Sequence, residues 1–117
     1  MQCARVYVYF CRWIRTPHDK IALCICDQKG WFFWFNSEPA FHGHGQLAIS
    51  VGEHPAITQA CFLDLSGLRA ATDEELGPDT ERDLISSSLR KRILGALAAP
   101  IKLLPEVHRR LALTNLA

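Results

Sequence analysis

The stretch from Lys20 to Phe35 narrows the choice of fold more than any other. A mostly apolar run, Lys20 to Cys26, is followed by Asp27-Gln28-Lys29-Gly30 and then by five consecutive aromatic residues, Trp31 to Phe35. The tetrapeptide, with glycine last, has the chemistry of a tight reversal. The flanks are rich in β-branched and aromatic residues, so the segment predicts an antiparallel hairpin. Side chains alternate across a strand, which puts Trp31, Phe33 and Phe35 on one face and Phe32 and Trp34 on the other. A strand that is apolar on both faces needs cover on both. The second cover would be the chain's own helices or a partner chain.

The remaining segments extend a β architecture. Val6 to Phe10 reads as a strand, and Thr16-Pro17-His18-Asp19 as the turn that ends it. Asn36 to Gly45 is a loop carrying Pro39, Gly43 and Gly45, Leu47 to Val51 a short strand, and Cys61 to Leu65 another. Between them, Gly52-Glu53-His54-Pro55 is a turn in which Pro55 drives His54 to an extended backbone. Turns about every ten residues suggest a small barrel or sandwich. After Gly67 the character changes to an acidic run, Asp73 to Asp83. One of Ser86, Ser87 or Ser88 then caps a helix whose Leu89, Ile93, Leu94 and Leu97 fall at helical spacing. Pro100 ends it. Pro105 opens a second short helix with Val107, Leu111 and Leu113 turned inward. The expectation is a mainly β, α+β protein: a small antiparallel β-barrel closed by two short helices. It would form one domain over 1–117, with the barrel in 1–68, an acidic connection in 69–85 and a helical part in 86–117.

Composition excludes several classes. The 117 residues carry a net charge of +1, so no whole-molecule field draws the chain to nucleic acid or an anionic membrane. With 49% apolar and 21% charged residues it is not a disordered chain. No window of about 18 residues is apolar enough for a membrane span, and the N-terminus lacks the order of a secretory signal. Five cysteines, an odd number, fit free thiols in a reducing cytoplasm better than a disulfide framework.

Four constellations could carry chemistry. Cys24-x-Cys26 presents two sulfurs to one face of a strand, and with His42-x-His44 could form a tetrahedral zinc site. The alternative is two small core cysteines beside a surface loop, and the working expectation is no metal and no cofactor. His18, His42, His44 and His54 occupy predicted loops, where a neutral-pH proton carrier is useful. Metal-independent RNA cleavage needs a base, an acid and a cation; His54 with Arg12, Arg15 or Lys20 would supply them. That requires the His54 ring to reach a solvent-accessible groove. Cys61, in a strand, reads as buried and inert. Basic side chains recur at Arg5, Arg12, Arg15 and Lys20, at Arg90-Lys91-Arg92 and at Arg109-Arg110. Aromatics among Tyr7, Tyr9, Trp13 and Trp34 could stack unpaired bases.

Within 18–68, four segments follow one another: His18-Asp19-Lys20-Ile21, Phe35-Asn36-Ser37-Glu38, Gly52-Glu53-His54-Pro55-Ala56-Ile57-Thr58 and Cys61-Phe62-Leu63-Asp64. In this order they resemble the PemK/MazF-like toxins of bacterial type II toxin–antitoxin systems. The Gly-x-His-Pro segment is the most specific element, and the likeness extends more weakly to the helix at Leu89 to Leu97. Arg15-Thr16-Pro17 stands where well-studied toxins carry an Arg-Pro pair, and Cys61-Phe62 where relatives carry Ser-Tyr. The resemblance implies an SH3-like barrel, a homodimer, an antitoxin protein as partner, and binding with metal-independent cleavage of single-stranded RNA by an endoribonuclease. It implies His54 and Thr58 as catalytic residues and Ser37 as a phosphate contact; the reading of the basic residues adds Arg15 as the catalytic cation and Arg12 and Lys20 as nucleic-acid contacts. The alternative is a non-catalytic SH3-like module working through protein–protein contacts.

Overall fold

A computed structural model describes all residues, Met1–Ala117. The hairpin is its centre. Strands β2 (His18–Cys26) and β3 (Trp31–Asn36) pair with Ile21 opposite Phe35, Leu23 opposite Phe33 and Cys24 opposite Phe32. Gly30 closes the turn with φ +67, and a Cβ there would lie 2.7 Å from the Ala71 carbonyl oxygen, so glycine is required twice over. Strand β1 (Arg5–Cys11) pairs antiparallel with β2, with Val6 opposite Leu23 and Cys11 opposite His18. On the other side of β3 lies β5 (Cys61–Ala70), twice the length of the predicted strand, and beyond it β4 (Gln46–Ile49). A sixth strand, β6 (Glu81–Leu84), pairs with the outer edge of β1. It lies inside the expected acidic connection and is a correction to it.

The strand order is β4-β5-β3-β2-β1-β6, all antiparallel, and the two edge strands do not pair with each other. The sheet is therefore not closed by a ladder. Instead, the turn after β4 is fastened to β6 through His54, whose Nε2–H donates to the Asp83 carbonyl at 2.8 Å.

Both faces of the aromatic strand are covered by this chain. Phe33 and Phe35 join Val6, Leu23, Ile25, Leu63 and Leu65 in the main core. That core is capped by α1 (Ser87–Ala96) through Leu89 and Ile93, and by α2 (Glu106–Leu116) through Ala112 and Leu116. Phe32 lies on the opposite face with Tyr7, Tyr9, Ala22 and Cys24, in a second cluster closed by Ala71, Leu76 and Ile14. The ring of Phe32 meets that of Tyr7 edge-on at 5.6 Å. The second cover is thus the segment that returns toward β6, and not the helices.

Helix α1 begins where a serine cap was expected: Ser86 accepts from the Leu89 amide at 3.1 Å. In α2 the inward face is Ala112 and Leu116, with Leu111 and Leu113 half-buried. Val107 is 76% exposed and points out, contrary to expectation. Pro105 is the residue before the helix, so the inward stripe runs one turn further along than the sequence pattern suggested. No helix is long and apolar enough to cross a membrane.

Candidate functional site

Three strand ends meet at one end of the sheet: the start of β2, the end of β3 and the start of β5. Continuing the β2–β3 and β3–β5 registers sets Asp19 beside Ser37, and Ser37 beside Cys61. The segment Ile57–Gln59, leading into β5, completes a cleft of about 470 Å³. Its apolar side is the end of the main core: Ile21, Phe35, Ile57 and Cys61. Its polar side comprises His18, Asp19, Lys20, Asn36, Ser37, Glu38, Thr58 and Gln59.

The cleft unites three of the expected site residues, Lys20, Ser37 and Thr58, from three separate segments. Ser37 and Thr58 are exposed. Lys20 is only 8% exposed. Its ammonium donates to Asn36 Oδ1 at 2.6 Å and sits 4.8 Å from the centre of the Trp34 ring. Strand alternation places Lys20 on the face of Ala22 and Cys24, opposite that of Ile21 and Leu23. Burial pushes its pKa below the ordinary lysine value, with nearby Arg69 adding to the lowering and Asp64 opposing it. Lys20 is therefore already engaged, on the face of the sheet away from the main core, and alternation sets His18 on that same face at the cleft's edge.

Arg12 and Arg15 flank Trp13 in the loop between β1 and β2, which the Cys11–His18 pair closes at the mouth of the cleft. All three side chains are exposed, Trp13 by 79%. Neither arginine has a carboxylate partner; the three ion pairs of the molecule are Arg92–Glu53, Arg109–Glu106 and Arg110–Glu106. These cations and the indole are thus available to a ligand.

His54 is not available. The ring is 2% exposed, and both nitrogens are used. The Ala56 amide donates to Nδ1 at 3.0 Å, and Nε2–H donates to Asp83. Those bonds fix the Nε2–H tautomer and leave no lone pair for a substrate. The catalytic part expected of His54 finds no free ring atom: the turn over residues 51–56 carries the ring inward, between the two edges of the sheet.

His18 has the properties sought. It is exposed, lines the cleft and holds its ring by an Nδ1 hydrogen bond to the Thr16 carbonyl at 2.7 Å. A carbonyl can only accept, so Nδ1 carries the proton and Nε2 keeps a lone pair in the neutral ring. Sequence reasoning counts His18 among four candidate proton carriers but ranks His54 ahead of it. Asp19, Asn36, Glu38 and Gln59 were missed as cleft residues. The register that gathers them was the missing information, and only the pairing of Lys20 with the end of the aromatic run hinted at it.

The zinc constellation does not assemble. Cys24 and Cys26 are buried in the sheet, His42 and His44 are exposed in their loop, and no three His, Cys, Asp or Glu side chains gather closely enough to hold a metal ion. All five cysteines are free thiols. Burial pushes the Cys24 thiol up to about 12, which leaves it protonated and unreactive. Cys61 is buried and its pKa raised by that burial. Compared with known proteins, the chain matches no family model, no curated protein and no solved structure.

Proposed function

We propose that the protein is a toxin-type member of the PemK/MazF-like group that binds single-stranded RNA and cleaves it without a metal, working as a homodimer controlled by an antitoxin protein. The observation that carries this is the cleft, lined by Ser37, Thr58 and His18 with its unbonded Nε2, with His18 ending the loop that bears Arg12, Trp13 and Arg15. Exposed arginines beside an exposed indole are the combination that tracks a nucleic-acid backbone and stacks its bases. In this reading the guanidinium groups hold the phosphate, and Ser37 and Thr58 donate hydrogen bonds to its oxygens. His18 Nε2 takes the proton of the neighbouring 2′-hydroxyl. The 2′-oxygen bonds to phosphorus, the bond to the 5′-oxygen breaks, and water protonates the departing oxygen, leaving a cyclic 2′,3′-phosphate.

A second reading is binding without cleavage, and the buried His54 ring favours it, since the histidine of the Gly-x-His-Pro segment is occupied. One experiment separates the two. A labelled single-stranded RNA is incubated with the protein in chelator, and both anisotropy and product length are followed. Cleavage with a cyclic phosphate end, lost in His18→Ala while binding persists, supports the enzyme. Binding with the RNA left whole selects the second reading, and no binding to RNA overturns both.

A further inference from the structure

Cleavage as proposed leaves the departing 5′-oxygen to be protonated by water. A protein group able to do this stands two residues from His18. Strand alternation sets His18 and Lys20 on one face of β2, about 7 Å apart along the strand, and turns Asp19 between them to the other face. Both His18 and Lys20 line the cleft. In cleavage at phosphorus the attacking and leaving oxygens lie roughly in line, so the base and the acid must stand on either side of the phosphate. The rise of two strand residues suits that span.

Lys20 is the only lysine or arginine that is buried. Its ammonium carries three N–H donors. Asn36 Oδ1 takes one at 2.6 Å and the Phe35 carbonyl, at 3.5 Å, a second. The third has no partner in the protein, and no carboxylate forms an ion pair with it. The ammonium also rests on a fixed platform: it lies 4.8 Å from the centre of the Trp34 ring, whose Nε1–H donates to the Tyr9 hydroxyl at 2.9 Å. We infer that Lys20 is the general acid of the reaction, passing the proton of its third N–H to the 5′-oxygen as the bond to phosphorus breaks. This rests on the cleavage reading above and adds a residue to it. Protons and charge balance: His18 Nε2 gains the 2′-hydroxyl proton, Lys20 is left as the neutral amine, and each returns to its starting state by exchange with water. The groups that face Lys20 suit a donor that must release its proton near neutral pH. Burial lowers its pKa and Arg69, on the far side of β3, adds to that, while Cys11 on β1 and Asp64 on β5 oppose it. Asp64 Oδ1 is already taken by Gln46 and Ser66. Tyr9, opposite Lys20 on β1, is pushed up to about 12 by burial and stays neutral.

The test changes the leaving atom. An RNA that the protein is first shown to cut is remade with sulfur in place of the bridging 5′-oxygen at the cut linkage. A thiolate departs without a proton, so an acid is unnecessary there. Lys20→Met is expected to slow cleavage of the oxygen linkage by about a hundredfold and to cut the sulfur linkage as fast as the unaltered protein does. Lys20→Arg keeps the charge but holds its proton too tightly to give it up, and should match Lys20→Met on both linkages. His18→Ala should lose both. An equal loss on both linkages in Lys20→Met assigns the lysine to charge or shape and overturns its role as acid. No loss on either returns the proton to water and overturns that role too, leaving the cleavage reading intact. An unaltered protein that cuts no RNA overturns the cleavage reading, and this role with it.

Discussion

Lys20 shows how far a single side chain can depart from what its type suggests. An ammonium buried beside an indole and an amide oxygen, without a carboxylate, loses hydration that neither neighbour fully replaces. Its pKa is lowered chiefly by burial. A base whose folded pKa lies below its unfolded one is penalised in the folded state whenever it is charged. The penalty is complete below the folded pKa and fades as pH rises from there to the unfolded value near 10.5. Lys20→Met, which keeps the stem and removes the charge, is expected to leave stability unchanged or raise it by about 1 kcal/mol. It should also abolish the gain in stability on the alkaline side of neutrality. Urea denaturation of both proteins at pH 7 and pH 9.5 checks this; a loss of more than about 1 kcal/mol in the variant would show that the Asn36 bond outweighs desolvation.

The elements divide into those that local chemistry specifies and those that only pairing specifies. The hairpin, β1, and the serine-capped start of α1 belong to the first kind. Ser86→Ala is expected to cost about 1 kcal/mol through loss of the bond to the Leu89 amide. A thermal melt shows this as a drop of several degrees, and Ser86→Asp should restore it. Strand β6 belongs to the second kind. Glu81-Arg82-Asp83-Leu84 has three exposed positions and no alternating apolar pattern, so nothing local marks it as a strand. It is one because β1 offers an open edge, and because Arg5 Nη1 donates to the Arg82 carbonyl at 2.7 Å. The same distinction holds in the cleft. Ser37, Thr58 and Lys20 could be singled out from their segments, but not Asp19 or Glu38, whose neighbours are fixed by register. Pro55 restricts the backbone of His54, yet that says nothing about which way a ring points.

At the level of the assembled chain, His54 explains why an unclosed sheet holds its shape. It ties the turn after β4 to β6, the two ends of the strand order. Its loss leaves the Ala56 amide and the Asp83 carbonyl without partners and a void in their place. His54→Ala is expected to cost about 3 kcal/mol. His54→Gln, which can reach one of the two partners, should cost less. Hydrogen exchange should show the Ile57 amide and the β1–β6 pairs opening ahead of the β2–β3 pairs in His54→Ala. Uniform loss of protection would mean that the histidine only fills space.

The position of β1 in the sheet also sets an order of events during synthesis. Strands β1, β2 and β3 follow one another directly and can pair as soon as they leave the ribosome. The outer edge of β1 and the Tyr7–Phe32 face must wait until residues 71–84 emerge, and the inner face waits for the two helices. The nascent chain therefore exposes an aromatic three-stranded ribbon, sticky on both sides, for as long as it takes to translate the second half, a window in which a holding chaperone or a cognate partner would find its best purchase.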